Sequence, residues 1–159
     1  MKLLVAILAV LLISASPAYG QEFGRKDTAM DVTHYALDIY PDVDSRSLLG
    51  SVFVKLQARA PLDELVFDAA AMEIIEVAAG SGELLPFRYD SLKLTVPLKR
   101  TLQQGDTISI GIRYATQSGA GMYFVAPNAS YPDATVQFYT HNQPDDARYW
   151  FPCHDVPWD

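Results

Sequence analysis

The chain has 159 residues and one cysteine, Cys153, so no internal disulfide can form and the fold rests on its core. Basic residues are also scarce, 12 Lys and Arg against 19 Asp and Glu, and they form no cluster. That balance argues against nucleic acid and anionic membrane surfaces as partners. No apolar run is long enough for a transmembrane helix: Leu3 to Ile13 is eleven residues, where roughly 20 are needed. Hydrolytic motifs are missing as well. The three histidines, His34, His141 and His154, never pair one helical turn apart around a Glu, the arrangement a zinc hydrolase needs. No Gly-x-Ser-x-Gly elbow surrounds a serine, and Gly119-Ala120-Gly121 is too short and isolated for a phosphate cradle. These residues alone carry out no hydrolysis.

What is present begins with a targeting pattern. Lys2, the apolar run, and the small residues ending in Ala18-Tyr19-Gly20 read as a secretory signal with cleavage after Gly20. The expectation is export, to a periplasm or the medium. Residues 21–159 then form a single acidic domain, large enough to bury roughly two thirds of its unfolded surface.

Along that domain, apolar and polar residues alternate with a period of two. Thr33, Tyr35, Leu37 and Ile39 alternate with His34, Ala36, Asp38 and Tyr40. After a turn over Pro41 to Ser47, Gly50, Val52, Val54, Leu56 and Ala58 repeat the pattern, which predicts a long hairpin. Shorter strands are expected at Leu65 to Phe67, Met72 to Ala78, Phe87 to Tyr89 and Leu92 to Val96. A further strand runs from Thr107 to Tyr114 with Ile108, Ile110, Ile112 and Tyr114 on one face, followed by Met122 to Val125 and Val136 to Thr140. No amphipathic helix is expected. The fold class is all-β, an antiparallel β-sandwich or curved multi-stranded sheet.

The segment from Gln143 to Asp159 follows neither period, with three prolines and two tryptophans among its residues. Specified irregular loops carry function more often than regular elements do. Alternate residues of an extended segment share a face, so His141 and Gln143 can converge on one ligand while Asn142 points away. A metal set from His141, Cys153, His154 and Asp155 lacks close-spaced ligand pairs and is disfavoured. Cys153, between Pro152 and His154, reads as a packed thiol rather than a nucleophile. Trp150, Phe151, Val156 and Trp158 are expected to leave an apolar patch that a neighbour covers. Asn128-Ala129-Ser130 is a formal N-glycosylation acceptor.

Together, Gly-Met-Tyr-Phe from Gly121, Val-Gln-Phe-Tyr-Thr from Val136, Asp146-Ala147-Arg148, Phe151-Pro152-Cys153 and Asp155-Val156-Pro157 resemble a signature of the aminopeptidase N family of zinc exopeptidases. The resemblance implies an N-terminal β-domain that precedes a zinc-binding catalytic domain absent from this chain. It implies zinc for the full-length protein and none bound here, with a peptide substrate and the missing catalytic domain as partners. In that family the positions matching His141 and Gln143 help form the pocket for the substrate's free amino end and first side chain. The first is usually Gln and is His141 here. Ala147, Arg148, Pro152, Cys153, Asp155 and Pro157 form the structural signature, in which Val156 replaces a common acid. Two rival readings are a free-standing exported β-sandwich that binds protein or carbohydrate, and a noncatalytic relative of the peptidases.

Overall fold

The computed structural model describes residues 29–117 and 119–156. The proposed signal peptide, the lead-in before Ala29, Pro157 and Trp158 lie outside the described residues. In chain order the strands are β1 (Met30–Asp42), β2 (Ser47–Ala58), β3 (Leu62–Asp68), β4 (Met72–Ala79), β5 (Arg88–Tyr89), β6 (Lys93–Leu102), β7 (Thr107–Gln117), β8 (Met122–Val125) and β9 (Gln137–Thr140). Among the described residues one 3-10 turn, Ala147–Tyr149, follows them. The expected all-β class holds, and every pairing between these strands is antiparallel.

One sheet has the order β1-β2-β7-β4, a second has β3-β6-β5, and β8-β9 make a separate ribbon. The predicted hairpin is β1 and β2, in register from Met30 opposite Ala58 to Asp42 opposite Ser47. Its alternation has one interruption. Thr33 lacks a partner between Val32 and His34 and its hydroxyl donates to the Lys55 carbonyl at 3.1 Å, so it forms a bulge instead of sharing a face with Tyr35. Strand β4 bulges in the same way at Ile75.

Alternation builds the core directly. In β2, Leu48, Val52, Val54, Leu56 and Ala58 are buried, whereas Leu49, Phe53 and Lys55 face out. Leu48, Val52, Val54 and Leu56 meet Ile110, Ile112 and Tyr114 of β7, Val77 of β4, Leu65 and Phe67 of β3, and Leu94 and Val96 of β6 in one hydrophobic cluster. Each such aliphatic side chain, fully buried, contributes ~1.5–3 kcal/mol. Gly50 is required opposite Tyr114: a Cβ there would lie 2.5 Å from the ring. The Tyr114 hydroxyl is buried without a hydrogen-bond partner, and burial pushes its pKa up.

The terminal segment corrects one expectation. Trp150 and Phe151 do not form an exposed patch; they are 8% and 9% exposed and belong to the core cluster. Phe151 packs edge-on against Tyr35 of β1, with ring centroids 5.7 Å apart. Trp150 and Phe151 are thus part of the domain's own interior.

Candidate functional site

Two devices fix the chain after β9. The first is Gly121, at the entry to β8, whose carbonyl accepts the His141 N–H at 3.0 Å. Its φ is +76°, and a Cβ would stand 2.2 Å from the Asp146 carbonyl oxygen, so only glycine lets the 141–146 segment pass this closely. The second device is Asn142. Its side-chain oxygen accepts the indole N–H of buried Trp150 at 2.8 Å. The Asn142 side-chain oxygen is thereby directed at Trp150, although Asn142, like its neighbours His141 and Gln143, is exposed. The Gln143–Pro144 peptide bond is cis.

Beyond this strand end, Arg148 gathers the acidic residues. Its Nε donates to Asp155 Oδ2 at 2.8 Å and to the Asp145 carbonyl at 3.0 Å, and a terminal nitrogen reaches Asp145 Oδ2 and the Asp155 carbonyl at 3.1 Å each. Asp155 Oδ2 also accepts the Arg148 backbone N–H at 3.1 Å. A second terminal nitrogen stands 3.4 Å from Asp68, whose carboxylate is paired with Lys93 at 2.6 Å. Burial alone would lower the guanidinium's pKa; the bond to Asp155 and the charges of Asp68, Asp155 and Asp145 outweigh it and raise the pKa above its ordinary value.

Asp68 ends β3, and it is here that the segment is fastened to the sheet. Asp68 and Cys153 exchange backbone hydrogen bonds at 2.7 and 3.0 Å, and the Asp155 N–H donates to Asp68 Oδ2 at 3.3 Å. The Ala70 N–H donates to the Arg148 carbonyl at 2.7 Å, and the His154 N–H to the Tyr35 hydroxyl at 2.8 Å. Pro152 and Cys153 are buried and Ala147 packs against the core. Ala147, Arg148, Pro152, Cys153 and Asp155 therefore brace the chain, while His141 and Gln143 project from it.

Residues 31–159 match the Peptidase M1 N-terminal domain. The chain belongs to this family. An aminopeptidase N from Plutella xylostella is 29% identical over an alignment 141 positions long, which covers 79% of this chain and 15% of that protein. An M1 zinc metallopeptidase from Deinococcus radiodurans superposes with a TM-score of 0.68 at 25% identity, covering 84% of this chain and 31% of that one. A variant of the Deinococcus enzyme bound to a Tyr-Ser-Ala substrate gives a TM-score of 0.67 at 26% identity, with 83% and 31% covered. The chain spans less than a third of each of these relatives.

Zinc does not fit the residues that this M1 N-terminal domain itself supplies. Among the described residues no three His, Cys, Asp or Glu side chains are grouped to hold a metal. Asp68 and Asp155 are engaged by Lys93 and Arg148, and the Cys153 thiol is 2% exposed. Burial, then the charges of Asp155 and Asp68, push that thiol's pKa far up and disfavour the thiolate that a metal would need. Sequence reasoning set Asn142 aside as pointing away from the site; alternation was the signal that it points inward, toward an anchor.

Proposed function

We propose that this chain is the N-terminal domain of an exported zinc-dependent aminopeptidase that removes N-terminal amino acids from peptides. In this reading the domain supplies one wall of the substrate pocket and a scaffold, not the reacting groups. Zinc, its ligands and the proton-transferring residues belong to the catalytic part of the parent protein. Family membership supports the reaction class, and the Tyr-Ser-Ala complex of the Deinococcus relative supports a peptide substrate. The Lys2, Leu3 to Ile13 and Ala18-Tyr19-Gly20 pattern supports export.

The observation that carries the pocket assignment is the inward anchor of Asn142, which leaves His141 and Gln143 exposed on either side of it. An amide oxygen at Gln143 accepts hydrogen bonds from an ammonium group, and such a bond selects peptides with a free amino end. Replacing Gln143 with Ala in the complete enzyme is expected to lower kcat/KM for amino-acid amides about tenfold, the scale of one hydrogen bond to a charged group. Bound zinc, measured by metal analysis, stays unchanged. Unaltered kinetics across several substrates would remove Gln143 from the pocket.

A further inference from the structure

The β8–β9 ribbon has two faces of different character. Its register sets Met122 opposite Thr140, Tyr123 opposite Tyr139 and Phe124 opposite Phe138. Partners across an antiparallel ladder share a face, and successive residues alternate between faces. Met122 is buried, and Phe124 and Phe138 pack against the core with ring centroids 5.2 Å apart. Tyr123 and Tyr139 project the other way. They are 38% and 48% exposed, and their rings stack at 5.1 Å with 17° between planes.

This outer face runs on toward the amino-end pocket. His141 follows Tyr139 by two residues, and its N–H still pairs with the Gly121 carbonyl, so alternation gives it the same face as Tyr139. Two residues of strand span roughly 7 Å, the length of about two residues of an extended peptide.

We propose that the Tyr123–Tyr139 pair is the platform of a second substrate subsite, which takes a planar side chain at the second or third position of the peptide. The proposal rests on the assignment of His141 and Gln143 to the amino-end pocket. Stacking turns one face of each ring toward its partner, so the pair offers its outer ring faces as the π surface beside a line of peptide. A phenyl or indole ring stacks on it, and a guanidinium adds a cation–π attraction. A glycine or small side chain has nothing to lay on the platform, so the pair discriminates by shape and polarisability.

The test uses the complete peptidase with Tyr139→Ala, Tyr123→Ala and Tyr139→Phe, assayed on Leu-Phe-Gly, Leu-Gly-Phe, Leu-Gly-Gly and leucine amide. Each alanine variant is expected to raise KM about fivefold for at least one Phe-containing peptide, the scale of one aromatic contact, and to change the other substrates less than about twofold. Tyr139→Phe keeps the ring and so keeps the preference. An equal loss on all four substrates would overturn the proposal, because it would mean that the pair packs against another part of the protein. No change on any substrate would overturn it as well. Gln143→Ala separates the two assignments: if it weakens all four substrates while the tyrosine variants do not discriminate, the amino-end pocket stands and the platform falls.

Discussion

Asn142 shows how one side chain sets the direction of its neighbours. It is exposed, yet its oxygen satisfies the indole N–H of Trp150, which is 8% exposed. Removing the acceptor strands a buried donor, and that loss exceeds the net worth of an average hydrogen bond. Asn142→Ala is expected to cost about 1–2 kcal/mol in urea denaturation and to move the Trp150 indole proton upfield in NMR spectra. Asn142→Asp, which keeps an acceptor oxygen, restores most of both; a full restoration by Leu instead would show that packing alone holds the loop. The two-residue period separates Asn142 from His141 and Gln143, but all three are exposed, so burial does not mark that alternation here. The identity of the anchor was not legible in the sequence, because Asn142 and Trp150 are eight residues apart across an irregular loop and a 3-10 turn that no local pattern encodes.

The elements were legible wherever one face is buried and the other wet, as in β2 and β7, where the alternation of Val, Leu and Ile with polar residues maps onto buried and exposed positions. Bulges at Thr33 and Ile75 were not, since each inserts one residue without disturbing composition. The burial of Trp150 and Phe151 also escaped the sequence, because it depends on Asp68 and Tyr35, which lie far away along the chain. Turns were read from composition, and the structure adds their chemistry. Between β5 and β6, Asp90 Oδ1 accepts the N–H groups of Leu92 at 2.9 Å and Lys93 at 2.7 Å. The bond from Lys93, then that from Leu92, hold the Asp90 carboxyl below its ordinary value. A carboxyl whose pKa is lowered by folding stabilises fully above its unfolded pKa, near 3.8, and that contribution is lost as pH falls through the folded value. Asp90→Asn keeps an acceptor but has no charge to lose. The difference in Tm between the parent domain and this variant is expected to be constant from pH 7 to about pH 5 and to shrink below about pH 4. A gap that persists undiminished at pH 2 would assign the stabilisation to the turn's shape rather than to its charge.

At the scale of the whole molecule, the question is whether the segment that holds His141 and Gln143 opens with the domain or apart from it. Loops that present binding residues are often the least stable part of a fold. Here the contacts point the other way. The segment's Trp150, Phe151 and Cys153 share one hydrophobic cluster with Leu48, Val54, Phe67 and Ile112, so lifting it would open the core common to both sheets. Its backbone is bridged to β3 at Asp68, and Arg148 ties it further through Asp68 and Asp155. Cys153 is the lone thiol and lies in that bridge, which makes it a reporter already in place. A thiol reagent reaches it only after the segment leaves β3, and burial also suppresses the thiolate that would react. The free energy of opening read from labelling rates is therefore expected to match the global free energy of unfolding from urea denaturation, within about 1 kcal/mol, and to fall along the same denaturant dependence. Labelling faster than global unfolding allows, with no dependence on urea, would show instead that the segment peels away alone. In that case the direction of His141 and Gln143 would not be set by the sheets beneath them.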